Sequence, residues 1–334
     1  MASVRIAVKG GTGYIGGGLC RRLTADGHEV RALVRPTSDR TELDTLGVEC
    51  VEGDITDRES LGGAMAEVDW LVHAAAELDF GASRERMEHA NALGSENVAA
   101  VALATGVPRV LHVSSIAAFG GTAPDGTPSS EESSPVLPLP NNYCVTKRAG
   151  EIAFRRAAEQ GLALNVVSPS LVYGPPSKKG GINSFLRLIL SGRLPALVGT
   201  DRVSSWIYLD DLVDGLVRVI ERARAGAHYL MTGEGASTAD VVARICALGE
   251  VAAPRLTIPV PVARALLLML MPVEVVRGRR LPFNNQQLRT LARHWHFDDS
   301  KARRELEWKP RGLEEGLPPT VEFLKGTLAK KERS

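Results

Sequence analysis

Val4-Arg5-Ile6-Ala7-Val8-Lys9-Gly10-Gly11-Thr12-Gly13-Tyr14-Ile15-Gly16 is the stretch around which the chain is organised. Ile6, Ala7 and Val8 are apolar and mostly branched, as in a short buried strand. A glycine turn follows at once. Tyr14-Ile15-Gly16 then opens a segment that runs through Leu19, Cys20 and Leu23 with helical spacing. A strand, a glycine turn and a helix form the first half of a dinucleotide-binding unit. Each glycine has its own reason. Gly10 permits a sharp turn, Gly13 lets backbone amides approach a pyrophosphate, and Gly16 lets the helix pack close to the strand. The helix N-terminus offers its free N–H groups and partial positive charge to the anion.

The rest of the composition narrows the field. The chain has 334 residues, with 40 Lys and Arg against 39 Asp and Glu, and only 5% aromatic residues. Scattered charges of both signs read as a solvated surface and suggest no nucleic-acid partner. Cys20, Cys50, Cys144 and Cys246 make no CxxC or other metal spacing, so no metal is expected. They read as reduced thiols of a cytoplasmic protein. With a strand at the N-terminus no leader is expected, and no run is long and unbroken enough to span a bilayer.

Five further strands are expected in the first half. The second, Val30 to Val34, ends on Arg35-Pro36-Thr37-Ser38, where an adenosine ribose would lie. An acid there favours NAD. Arg35, with Ser38 and Arg40 behind it, suits the 2′-phosphate of NADP instead; the alternative is a surface arginine. The third strand, Val48 to Glu52, runs into Gly53-Asp54-Ile55. Asp54 can accept from an adenine amino group, or cap a helix around Arg58 to Met65. The fourth ends in Ala74, Ala75 and Ala76, small enough to leave room for a ligand. His73 and His112 lie inside apolar strands and read as core histidines. Glu88 to Thr105 reads as one alanine-rich helix, with Val98, Val101, Ala102 and Thr105 on one face. The fifth strand, Val110 to Val113, closes on Ser114-Ser115. A long loop from Gly120 to Asn142 suits a substrate-site rim. A helix from Tyr143 through Arg156 follows, then a sixth strand at Val166-Val167 and Pro169 to Pro175.

Alternating strands and helices make residues 1–174 an α/β doubly wound parallel sheet. Two segments within 204–231 are expected to return to that sheet: Ser205 to Asp211 with its helix to Ala223, and His228 to Met231. Residues 175–203 and 232–330 would form a smaller substrate-binding domain.

The chemistry is carried by Ser115 and the Tyr143-x-x-x-Lys147 pair. Tyr and Lys at i and i+4 share a helix face. The ammonium is expected to lower the phenol's pKa. Such a tyrosine gives a proton to a carbonyl oxygen or takes one from an alcohol. Ser115 can bond the same oxygen, and Lys147 can hold a nicotinamide ribose.

These pieces resemble the extended short-chain dehydrogenase/reductases of the NAD(P)-dependent epimerase/dehydratase superfamily. Those quoted above match, as do Tyr208-Leu209-Asp210-Asp211, Asp299 to Ala302 and Leu306-Glu307-Trp308-Lys309-Pro310. The resemblance implies a Rossmann domain with a small substrate domain, a nicotinamide cofactor, and Ser115, Tyr143 and Lys147 as catalytic residues. It places the cofactor against Gly10, Thr12, Gly13, Tyr14, Ile15, Gly16, Arg35, Ser38, Asp54, Ile55, Ala74, Ala75, Ala76, Ser114, Tyr143, Lys147, Pro169, Leu171 and Val172. It also implies a homodimer through the helices around Glu88–Thr105 and Tyr143–Gln160. The stretch from Val30 to Arg40 resembles dihydroflavonol-reductase-like, 3β-hydroxysteroid-dehydrogenase-like and hopanoid-associated epimerase-like members. Sugar-nucleotide members often carry Arg where this chain has Ser204, and Asn where it reads Ser168-Pro169-Ser170-Leu171.

The expected activity is NADP(H)-dependent reduction of a ketone or enone on an apolar small molecule, with NAD(H) possible as cofactor. Epimerisation or dehydration of a sugar nucleotide with retained cofactor is the alternative, and a cofactor sensor without turnover the third reading. Val260 to Met271 is an almost wholly apolar helix, followed by Arg277, Arg279 and Arg280. It reads as core, as the wall of an apolar pocket (the favoured reading), or as a segment resting on a membrane.

Overall fold

The computed structural model describes residues 3–79, 82–176, 181–194, 196–277 and 285–332, and no side chains over 270–277 and 330–332. Six strands come first: β1 (Arg5–Lys9), β2 (Glu29–Val34), β3 (Glu49–Glu52), β4 (Trp70–His73), β5 (Arg109–Val113) and β6 (Leu164–Pro169). Then follow β7 (Leu171–Tyr173), β8 (Ala196–Val198), β9 (Val203–Tyr208), β10 (His228–Met231), β11 (Glu234–Ser237) and β12 (Leu256–Ile258). Seven make one sheet in the order β10-β6-β5-β4-β1-β2-β3, and every pairing in it is parallel. The order reverses between β1 and β4, which opens a crevice at their C-terminal ends.

Alternation along the strands sends side chains into two layers. Ile6, Val8, Val72 and Leu111 face the Tyr14–Ala25 and Leu209–Arg222 helices through Leu19, Leu23, Leu212 and Leu216. Ala7, Leu71, Val110 and Val166 face the Gly94–Ala104 and Asn142–Glu159 helices through Val98, Ala102 and Phe154. Both faces are covered, as a parallel sheet requires. His73 and His112 are wholly buried in this sandwich, their rings stacked 5.4 Å apart.

A separate cluster gathers Tyr173, Leu186, Trp206, Tyr208, Ile245 and Leu317. It joins the three-stranded sheet β11-β9-β7 to the Ile182–Leu190, Thr238–Gly249 and Leu313–Glu332 helices. Two distant motifs meet beside it. Asp211 accepts from Arg311 Nε at 3.0 Å, and its carbonyl accepts from Trp308 Nε1 at 2.7 Å.

Some expectations change. The Ser205 to Asp211 strand does not return to the main sheet: β9 pairs with β7 and β11, and β10 fills the place beside β6. Its helix, Leu209–Arg222, does return, with Val213 against Gly18. The Glu88 to Thr105 helix is broken in kind, with a wider π turn over Glu88–Leu93 and α-helix over Gly94–Ala104. Of the expected dimer face, Val98, Val101 and Ala102 are buried in the core of the chain and are not available to a partner, and Thr105 is exposed.

Candidate active site

The glycine turn has the shape a dinucleotide needs. Gly10 has φ +100°, and a Cβ there would stand 2.8 Å from the Ala74 carbonyl carbon. A Cβ on Gly16 would overlap the Gly10 carbonyl. The Tyr14–Ala25 helix starts without a side-chain cap and without an acid in its first turn. Its N–H groups are therefore left for an anion. These features fit the pyrophosphate of a nicotinamide dinucleotide. Thr12 and Gly13 lie in the turn. Tyr14 and Ile15 pack against the sheet core, and the Tyr14 hydroxyl donates to the Gly174 carbonyl at 2.5 Å.

The far end of the crevice is cationic. Arg35 is exposed at the tip of β2, and the Ser38 amide turns back onto its carbonyl at 2.9 Å. Lys9, buried at the end of β1, donates to the carbonyls of Leu33 and Gly53 at 3.4 and 3.5 Å. Burial lowers its pKa to about 8, with Asp54 opposing and Arg35 adding to the fall. Lys9 was not read as a site residue, although a lysine inside a branched apolar run was the available sign. Asp54 closes a local turn, accepting from the Thr56 amide and hydroxyl at 2.9 Å each. It caps no helix, since the next helical turn starts at Glu59. Burial pushes the Asp54 carboxyl up, but the Thr56 bonds and the Lys9 and Arg35 charges hold it below its usual value. Ile55 turns its side chain into the core against Gly94.

Ser115 stands two residues beyond the end of β5 and accepts from the Ala117 amide at 3.1 Å. Asn141 caps the next helix, accepting from the Cys144 amide at 2.8 Å, and so places Tyr143 in its first turn. Tyr143 is hydrogen-bonded to Ser115, which pulls its pKa down, but burial dominates and raises it above a free phenol's. The expected lowering by Lys147 is not found. Its ammonium is buried and donates to the Val113 carbonyl at 3.0 Å. Burial brings Lys147 down to about 8, and Glu151 opposes.

Ser114 and Glu151 extend this arrangement. The Ser114 hydroxyl donates to Glu151 at 2.6 Å, and Arg155 pairs with the same carboxylate at 2.8 Å. Arg155 also donates to His228 Nδ1 at 3.1 Å, and His228 Nε2 meets Ser168 Oγ at 2.9 Å. Glu151 was missed, although it follows Lys147 at the same four-residue spacing as Lys147 follows Tyr143.

Ala74, Ala75 and Ala76 are half-buried beside the glycine turn. Pro169 ends β6, and Leu171 and Val172 start β7 on the other side of the crevice. The Gly120 to Asn142 loop is pinned by Arg293, which donates to the carbonyls of Gly120, Val136 and Pro138 at 2.5, 3.1 and 2.7 Å. Tyr143 packs against an apolar cluster of Ile116, Phe119, Cys144, Leu230, Trp295 and Phe297. Trp295, Phe297 and Arg293 come from a part of the chain where sequence patterns alone marked no site.

The sequence pattern of the NAD dependent epimerase/dehydratase family matches residues 6–231. The chain is 32% identical over 330 residues to sterol demethylase protein B of Methylococcus capsulatus, covering 95% of this chain and 97% of that one. It is similar to 4-hydroxy-2-methyl-3-oxo-4-farnesyl-3,4-dihydroquinoline-1-oxide ketoreductase of Stigmatella aurantiaca, 29% identical over 314 residues with 92% of each chain covered. A solved nucleoside-diphosphate-sugar epimerase from Pseudomonas aeruginosa shares its fold, with a TM-score of 0.77, 26% identity, and 98% and 99% of the two chains covered. So long a match, on a sheet of this topology, means that the chain belongs to the NAD dependent epimerase/dehydratase family, among the NAD(P)-dependent enzymes of the extended short-chain dehydrogenase/reductase type.

Proposed function

We propose that the chain is an NADPH-dependent reductase of a ketone or enone on an apolar small molecule, with Tyr143 as the proton donor. The observation that carries this reading is the setting of Tyr143. Its hydroxyl bonds Ser115, and it packs against a cluster of apolar side chains. A phenol is protonated at neutral pH, the state a proton donor needs, and burial favours that form further while the Ser115 bond opposes it.

The cofactor supplies the hydride. Tyr143 and Ser115 aim two hydroxyls at one carbonyl oxygen, and Tyr143 gives up its proton as charge develops there. Lys147 holds a positive charge beneath them, and Glu151 balances that charge. Lys9 and Arg35 make the ribose end of the crevice cationic, which supports NADPH over NADH.

Two relatives have names that speak of a sterol and of a farnesyl-bearing ketone, in keeping with an apolar substrate. Ser204, half-buried on β9, supplies no cation for a sugar diphosphate. We further propose a homodimer through the Gly94–Ala104 and Asn142–Glu159 helices. The exposed apolar residues Val145 and Ile152 on the second helix would form its face.

A panel of ketones tests the reading. NADPH consumption matched by alcohol formation supports it. A nucleotide that copurifies and turns over a sugar nucleotide without net oxidation favours the epimerase instead.

A further inference from the structure

The Val260–Arg277 helix is turned inside out for a surface helix. Ala263 and Leu267 point inward, packing with Leu288 of the Asn285–Leu291 helix. At 100° per residue, the opposite side carries Leu268, Pro261, Ala265, Met269, Val262 and Leu266. All six are exposed. Among them Leu268 is 60% and Met269 70% exposed. A solvated helix carries polar groups there. The side chains of Leu270, Met271 and Arg277, and the whole of Arg279 and Arg280, lie outside the described residues.

Charge identifies what covers this face. Between Val251 and Phe297 the sequence has Arg255, Arg264, Arg277, Arg279, Arg280, Arg289 and Arg293, against the single acid Glu274. Arg255, Arg264 and Arg289 are exposed. Arg264 lies at the edge of the apolar arc, where a cation can reach lipid phosphates while its neighbours enter the acyl layer. A second copy of this face would bring like charges together, whereas an anionic bilayer supplies both the apolar layer and the opposite charge. No helix of the described residues is long and apolar enough to cross a membrane, so the helix would lie flat.

We propose that this face docks on an anionic lipid surface. The position suits the chemistry. The Asn285–Leu291 helix beneath it bonds the start of the Tyr143 helix, with Asn141 Nδ2 to Thr290 Oγ1 at 2.8 Å and the Asn142 amide to Gln286 Oε1 at 3.1 Å. Docking would bring the rim of the site to the membrane, where an apolar ketone dissolves. The purpose of docking, though not the docking itself, rests on the apolar-substrate reading above.

The test is flotation of the full chain with phosphatidylcholine vesicles and with mixed phosphatidylcholine–phosphatidylglycerol vesicles, without substrate. Wild type floats with the mixed vesicles and less with the neutral ones. Leu268→Asp/Met269→Asp lowers that binding at least about tenfold at unchanged melting temperature. Arg264→Gln removes no buried contact and lowers it about fivefold, with no effect on the neutral vesicles. Wild type left unbound, or both variants floating as wild type does, would overturn the proposal. So would light scattering in which the double variant halves the mass of the wild type, because a second copy would then cover the face. A negative flotation result leaves ketone reduction standing, and failure to reduce ketones leaves a positive one standing.

Discussion

The Ser114 hydroxyl donates to Glu151 at 2.6 Å, tying the end of β5 to the helix turn that follows Lys147. The carboxylate is thereby held where it balances the buried Lys147 ammonium. Glu151→Gln keeps the size and loses the charge. Lys147, already down at about 8, then loses the one group that raises it. Its charged form is lost as pH rises, so the alkaline limb of kcat/KM moves to lower pH in the variant. The loss of a charged buried bond should also cost about 2 kcal/mol of stability. An unmoved alkaline limb would show that Glu151 supports the fold alone.

Arg35 is exposed and Lys9 is buried close to it. Arg35→Ala should weaken NADPH by about 1–2 kcal/mol, roughly five- to thirtyfold, and leave NADH nearly unchanged. Lys9 keeps part of the preference in the variant. Fluorescence titration with both cofactors checks this. An equal loss for both would make Arg35 structural, and a wild-type preference for NADH would reject the cofactor assignment.

Much of this site is local in sequence, and that part was legible. Val4 to Gly16 encodes a strand, a turn and a helix start within thirteen residues, and Tyr143 and Lys147 share a helix face by spacing alone. What escaped depends on contacts across the chain. Ser205 to Asp211 reads as a strand, but its sheet is decided by Leu171–Tyr173, which leaves the main sheet after Pro169. Lys147 was expected to act on Tyr143, yet the Val113 carbonyl and burial decide its state. Leu267 reads as core, as a pocket wall or as a membrane-facing residue, and its packing on Leu288 comes from a helix distant in sequence. The partners of Lys9, Glu151 and Arg293 are likewise distant in sequence or set by burial, which no local pattern reports.

His73, His112 and His228 are buried, and burial lowers all three, His73 to about 3 and His228 to about 4. In the unfolded chain each binds a proton near pH 6.5. Below that pH the unfolded state holds more protons, so stability present at higher pH is lost as pH falls. The loss should be on the order of 2 kcal/mol per histidine between about pH 8 and pH 5. Urea midpoints across that range measure it. A flat midpoint would mean that the histidines are protonated in the folded chain.

Val145 and Ile152 stand two turns apart on the outside of the Asn142–Glu159 helix, both exposed. If they form the dimer face, Ile152→Arg gives a monomer by light scattering at micromolar concentration while the wild type is a dimer. A monomeric wild type would reject the dimer, and a dimeric variant would move its face elsewhere.

The central claim is that Tyr143 protonates a carbonyl oxygen while hydride leaves the cofactor for good. A single turnover with nicotinamide-deuterated NADPH and a hydrophobic ketone tests it most directly, run with wild type and Tyr143→Phe. The account predicts one deuterium on the carbinol carbon for each NADP⁺ released by wild type. It predicts a rate lower by at least about a hundredfold in the variant, with NADPH binding unchanged. Turnover by the variant at the wild-type rate, or deuterium retained on an enzyme-bound nucleotide, would contradict it.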